Sequence, residues 1–280
     1  MVRKKIILAG NLKYVTIQVK TDRKAKRERK KNPTRKSVME ANERLSIKHL
    51  GILLGYNYVD GDYHMVLTYK EEPTPEQAKK ILRNYIDRLR RLYKKLGLPF
   101  KWTVVTEYKN KRLHHHLILN RSDRVVVEKL WKHGFVFFRE LYGNGDYRKL
   151  AEYLVKETRK TFRENGISNR ENGISKHRFR HGKDVVFPEV KDDLNASPKD
   201  LFQEPKPTKG YYIDQDSVYQ GKNPYTGMPY LEYVEIALDK PPYKIWPRGR
   251  RRKYIESYYP MPPDEEEQLK FTMPWEEVIK

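Results

Sequence analysis

Three consecutive histidines, His114, His115 and His116, stand in the stretch TEYKNKRLHHHLILN (106–120) of a chain that has eight histidines in all. Read as a strand, this stretch sends successive side chains to opposite faces. His114 and His116 then share one side with Arg112 and Asn120, while His115 shares the other with Leu113, Leu117 and Leu119. Two imidazoles at i and i+2 can chelate one ion. The preceding stretch KWTVVTEY (101–108) contains one carboxylate, Glu107. A hairpin turning at Lys109-Asn110-Lys111 pairs Glu107 roughly with Leu113, so a long side chain reaches the histidine pair diagonally. A His-His-Glu set leaves positions open for water and phosphate oxygens, and its mixed nitrogen and oxygen donors suit Mn²⁺ or Mg²⁺ acting as a Lewis acid. The same residues also fit a structural zinc site or a plain polar patch.

A second set with chemistry in it is YRKLAEYLVKETRK (147–160). At 100° per residue, Leu150, Ala151, Leu154 and Val155 form an apolar stripe that must face a core. Lys149, Tyr153, Lys156 and Lys160 fall within roughly 60° of one another on an adjacent strip. A phenol is a poor nucleophile at its ordinary pKa of about 10, but a neighbouring cation favours the phenolate. Lys156, one turn beyond Tyr153, is placed to neutralise charge on a phosphate or a leaving group. The competing reading is a basic helix that tracks DNA and whose tyrosine only packs.

The elements that must position these residues follow from the pattern around them. Thr74-Pro75-Glu76-Gln77 is a helix start with a capping box, and Ala78, Ile81, Leu82, Tyr85, Ile86, Leu89, Leu92, Tyr93 and Leu96 continue it as one stripe up to Gly97. YHMVLTY (63–69) precedes it as a β-rich run, and the two strands at 101–108 and 112–120 follow. A helix near 123–132, a strand near 135–141 and a helix over about 147–161 complete the order β-α-β-β-α-β-α. That order predicts an α+β, ferredoxin-like antiparallel sheet with helices packed on one face. A further helix is expected over 37–54.

Composition narrows the partners. Lysine and arginine number 59 against 37 acids, a net charge of +22, which points to a polyanion, foremost nucleic acid. With no cysteine, disulfides and thiolate zinc sites are excluded. No stretch approaches the ~20 apolar residues of a membrane span, so the expectation is a cytoplasmic protein with no membrane partner. The run KTDRKAKRERKKNPTRK (20–36) is nearly all charge, and residues 1–36 are expected to be a flexible basic segment. RENGIS occurs at 163–168 and again at 170–175, as befits an exposed loop. From about 191 to 280 proline, tyrosine and charged blocks dominate, which predicts a loosely folded extension to a central domain over 37–190.

MVLTY (65–69), HHH (114–116) and YLVK (153–156), in that order, resemble the motifs of the HUH endonucleases, in particular the single-tyrosine rolling-circle replication initiators of bacterial plasmids, phages and integrated elements. The resemblance covers roughly residues 40–190. It implies an enzyme that nicks single-stranded or hairpin origin DNA, joins the 5′ end to a tyrosine and frees a 3′-OH for a polymerase. By matching position it implies His114 and His116 as metal ligands, Glu107 as a third, Tyr153 as nucleophile and Lys156 as its assistant; Lys149, Lys160 and Arg112, cations on the same helix strip or beside the histidine pair, are the expected DNA contacts. Tyr147 sits about 120° from Tyr153 around the helix, which disfavours a two-tyrosine enzyme. The chain has no Walker A pattern, so a host helicase is an expected partner. Two alternatives share parts of this pattern. One is a single-tyrosine transposase; the other is a non-catalytic RNA- or single-stranded-DNA-binding module in which Tyr63, Tyr69, Trp102 and Tyr108 would stack on bases.

Overall fold

The computed structural model describes residues 2–19, 36–108, 112–158, 177–193, 196–223 and 225–238. The basic run after residue 19, the hairpin turn at 109–111, Lys160, the RENGIS repeat and everything beyond 238 lie outside the described residues.

Strands β3 (Tyr63–Leu67), β4 (Trp102–Glu107), β5 (His114–Leu119) and β6 (Val136–Glu140), with helices α2 (Pro75–Lys95) and α3 (Arg124–Lys129), run in the order β3-α2-β4-β5-α3-β6. The sheet order is β6-β3-β5-β4, extended at one edge by a short β7 (Phe179–His181), and every pairing is antiparallel. This is the ferredoxin-like arrangement that the sequence predicts. The capping box of α2 is formed, with the Gln77 amide donating to Thr74 Oγ1 (3.3 Å) and the Thr74 amide to Gln77 Oε1 (2.9 Å). The buried stripe of α2 packs with Met65, Leu67, Leu117, Leu119 and Trp131 on one face of the sheet, and α3 joins it through Tyr85, whose hydroxyl donates to the Val127 carbonyl at 3.0 Å.

The other face is not open. Helix α1 (Lys36–Asn57) and helix α4 (Arg148–Glu157) cover it, with Leu50, Leu53, Leu54, Ala151, Leu154 and Val155 packed on Val105 and Ile118. Helices therefore lie on both faces, whereas the element order predicts them on one. The reason is α1, which precedes the ferredoxin-like unit and brings α4 against it.

The expectation of a flexible N-terminus is corrected. Residues 2–19 form a hairpin, β1 (Val2–Ala9) and β2 (Leu12–Val19), and the segment after 190 supplies β8 (Val190–Asp193), β9 (Tyr211–Lys222) and β10 (Pro229–Ala237). Together they make a second antiparallel sheet in the order β8-β1-β2-β10-β9. Lys13, Val15 and Ile17 turn to one side of β2 and Leu12, Tyr14 and Thr16 to the other, and both sides are covered. Val15 and Ile17 meet Leu231, Tyr233 and Leu201, while Leu12 and Tyr14 meet Ile52 of α1. The first core also holds Lys13, buried and paired with Glu235 (2.9 Å). Neither half could have been recognised as a sheet alone, because each hairpin's partner is about two hundred residues away.

Helix α1 is thus the layer shared by both sheets, and glycine lets it come close. A Cβ on Gly55 would stand 2.8 Å from the Gly145 carbonyl oxygen, and one on Gly10, in the two-residue turn of the first hairpin at φ +61°, would stand 2.9 Å from the Gly55 oxygen. On the same interface Lys48 of α1 reaches Thr16 (2.7 Å) and Glu232 (2.8 Å), and the Tyr230 hydroxyl donates to Glu232 (2.6 Å). Burial alone would raise the Glu232 carboxyl, but Lys48 and Tyr230 outweigh it and hold its pKa below the ordinary value. The stabilisation is therefore present above the unfolded carboxylate pKa of about 4.3 and is lost as pH falls through the lower folded value. Lys48→Met should cost about 1–3 kcal/mol near neutral pH, because the pair is only partly screened by solvent. Thermal melts taken from about pH 7 down to about pH 3 should show the gap between the two proteins closing with acid; a gap that does not change with pH would refute the assignment.

Candidate metal centre and tyrosine

β5 is the central strand, and alternation sorts its histidines as expected. His115 is buried among the residues under α2. Its Nε2 meets the Tyr69 hydroxyl at 2.6 Å and its Nδ1 the Thr106 hydroxyl at 2.9 Å. Burial, with the charges of His114 and Arg180, pushes its pKa down to about 3, so it stays neutral and fully hydrogen-bonded. It is a core residue with no atom left for a ligand.

His114 and His116 project to the other face with Glu107. The register pairs Glu107 directly with His114 and not with Leu113, one residue further along β5 than the expected pairing. That shift makes the carboxylate a cross-strand neighbour of one histidine instead of a diagonal one. His114 Nε2 lies 3.2 Å from Glu107 Oε2 and 3.2 Å from His116 Nε2. One donor atom from each of the three residues falls within 4.8 Å of the others, and Glu107 and His116 are buried.

Hydrogen bonds fix where the lone pairs point. A carbonyl only accepts, so His114 Nδ1–H donates to Arg112 O (2.8 Å), which leaves Nε2 of the neutral ring as the lone pair facing Glu107 and His116. Burial opposes a positive charge on His114, but Glu107 and the Arg112 carbonyl more than offset it and raise its pKa. Three electron-rich atoms directed at one another are what a cation offsets, and separations of 3.2 Å suit ligands about 2.0–2.2 Å from a common ion. The residues therefore fit a divalent metal.

The sequence did not single out His64, yet it completes the arrangement. It lies on β3 beside β5 and stacks on His116 with ring centroids 5.3 Å apart, its Nε2 3.1 Å from His116 Nδ1. Burial, reinforced by the charge of Arg139, lowers its pKa to about 4, so the neutral ring can accept from His116 Nδ1–H and leave His116 Nε2 for a ligand role. The signal was available: in YHMVL, His64 alternates against the apolar Tyr63, Met65 and Leu67 and so must face the side that carries His116.

Tyr153 stands on α4 with its ring edge-on to His116, centroids 5.6 Å apart. It is half-buried at the rim of the core that seats Leu154 and Val155. The expectation that lysines depress its pKa is not met. Burial, then the carboxylates Glu157 and Glu107, raise it to about 12, and the opposing cation is Arg139 of β6. Lys156 is exposed and paired with Glu152 at 2.6 Å, and Lys149 and Arg112 are exposed as well. Tyr147 is buried with its hydroxyl on Asp60 (2.8 Å), away from the cluster's chemistry. Of the aromatics suggested for base stacking, Tyr63 and Tyr69 are buried and Trp102 and Tyr108 are half-buried.

Residues 62–162, which span this site, match the model of a family described as Replication-associated protein ORF2. No curated protein and no solved structure matches the chain. Among the described residues no helix is long and apolar enough to cross a membrane.

His64 and His115, which stand outside the converging set, should separate cleanly. His64→Leu is expected to weaken Mn²⁺ binding about 10–100-fold by calorimetry, the usual effect of removing the partner of a ligating histidine. His115→Leu should instead lower the melting temperature, since it removes a partner of the buried Tyr69 hydroxyl and of the half-buried Thr106 hydroxyl, while leaving Mn²⁺ affinity close to that of the wild type. The reverse pattern would mean that the strand faces have been assigned wrongly.

Proposed function

We propose that the protein is a metal-dependent endonuclease that nicks one DNA strand at a replication origin through Tyr153, starts rolling-circle replication and rejoins the ends. The observation that carries this reading is the Tyr153 ring edge-on to His116, itself one of three residues whose donor atoms converge. The match to the replication-associated family over the same residues supports it, as does the net charge of +22.

In this reading Glu107, His114 and His116 would hold Mn²⁺ or Mg²⁺, which would supply Lewis-acid charge for the scissile phosphate. Tyr153 Oη attacks phosphorus and gives up its proton as the new P–O bond forms. The bond from phosphorus to the 3′ oxygen breaks, that oxygen takes up a proton, and the 5′ phosphate stays on the tyrosine. The reverse attack by a 3′-OH rejoins the strand. Lys156, one turn from Tyr153, exchanges Glu152 for a phosphate oxygen when DNA is present, and Lys149, Lys160 and Arg112 contact the flanking backbone. Duplex opening falls to a host helicase or to DNA topology, and a host polymerase extends the 3′-OH in the bacterial cytoplasm where the origin resides. The nuclease is assigned to residues 37–190, with the N-terminal and C-terminal hairpins forming a supporting sheet.

Incubation with Mn²⁺ and circular single-stranded DNA carrying the element's origin, followed by a denaturing gel, tests the proposal. Wild type should leave a covalent protein-DNA adduct and Tyr153→Phe none, and His116→Ala should slow nicking by at least about 100-fold. Adduct formation by the Phe variant would overturn the assignment of the nucleophile.

A further inference from the structure

β6 is an edge strand, and its two faces differ sharply. Val136 and Phe138 turn into the core under α2, where Phe138 meets Tyr63 edge-on at 5.5 Å and carries the Arg124 guanidinium over its ring at 4.8 Å. Phe137 and Arg139 must therefore project from the opposite face, and Phe135, two residues before Phe137, continues that row. This is the face of the histidine cluster. Phe137 is paired across β3 with Val66, which is paired with His116, and Arg139 is paired with His64. Two strand spacings place Phe137 about 10 Å from His116.

Phe135 is 72% exposed and Phe137 60%. Helices α1 and α4 cover Val105 and Ile118 on this face, but the row on β6 lies beyond their cover. Two adjacent solvated phenylalanines on an edge strand are a liability unless something lies on them. The flanking charge says what: Arg139 follows Phe137 on the same face of β6, is paired across the sheet with His64 and acts electrostatically on both His64 and Tyr153, so a cation lies next to the phenylalanines and near the candidate nucleophile.

We infer that the Phe135-Phe137-Arg139 row is a docking strip for single-stranded DNA, with the two rings stacking on unpaired bases and Arg139 holding a phosphate next to the one that is cut. This deepens the endonuclease reading and rests on it. Single strands fit the strip because only unpaired bases have free π-faces; a duplex keeps its bases stacked on each other. The strip also explains how a site with carboxylates at Glu107 and Glu157 would orient a polyanion: stacking fixes the strand beside the cluster without requiring cations inside it.

The experiment uses the full chain in EDTA, so that no cleavage occurs, with fluorescein-labelled oligo-dT and a duplex of equal length followed by anisotropy. Phe135→Ala and Phe137→Ala should each weaken oligo-dT binding about 5- to 100-fold, leaving the salt dependence and the duplex affinity unchanged. Phe137→Trp should restore affinity and its fluorescence should be quenched by oligo-dT. Arg139→Gln should flatten the slope of log K against log salt by about 0.7, one single-strand phosphate. Unchanged oligo-dT binding, equal losses on duplex, or losses that track dissociation of a dimer paired through β6 would overturn the strip. The endonuclease reading fails separately, by adduct formation from Tyr153→Phe, which these binding measurements do not depend on.

Discussion

A central strand buried on both faces has no neutral place to put an imidazole, and β5 carries three of them. Each must be satisfied by whatever lies on its side. His115 meets this demand with two hydroxyls, Tyr69 just beyond the end of β3 and Thr106 of β4. His114 and His116 meet it with each other, Glu107, the Arg112 carbonyl and His64. The first solution leaves no electron pair over. The second directs several at one point, which is the difference between a core histidine and a candidate ligand on the same strand.

Tyr153 meets His116 because α4 is held in place, and the holding is done from outside the ferredoxin-like unit. α4 is ten residues long and the preceding Tyr147 makes no side-chain cap, so it has little intrinsic stability. Its position comes from packing against α1, where Ala151, Leu154 and Val155 meet Leu50, Leu53 and Leu54 in one core, and from Arg148, which bonds Asp146 at 2.7 Å and Asp214 of β9 at 2.5 Å. The second sheet thereby fixes the helix that carries the tyrosine. The terminal hairpins are part of the site's support, although they contribute no residue to the cluster.

How much of this was legible depends on the range over which each signal acts. Alternation within HHHLIL and the helical stripe of 147–160 are local, so the outer histidines, the buried His115 and the tyrosine's strip could be read directly. The pairing of Glu107 with His114 could not, because a strand's register depends on loop geometry more than on composition. His64 was legible in principle by the same alternation, but a single histidine in an apolar run reads as core until its neighbour strand is known. The second sheet was hidden for a different reason: β2 pairs with β10, and charge density in the run after residue 19 masks a regular hairpin just before it.

The lysines show where a helical wheel stops being informative. It places Lys149 and Lys156 beside Tyr153 but says nothing of the acids in the next rows, and Glu152 and Glu157 supply them. Lys156 takes the i−4 partner, Glu152, and the phenol is left among carboxylates. That resting pair is weakly held, since both side chains are about half-exposed and such pairs are worth roughly 0–1 kcal/mol. A phosphate can therefore displace it at little cost. The tyrosine is more constrained, because its half-buried ring packs edge-on to His116 at the rim of the core that seats Leu154 and Val155. The site thus sets a half-buried phenol and three converging donor residues beside solvent-exposed lysines, so the groups in the core carry the geometry while the cations at the rim keep their mobility.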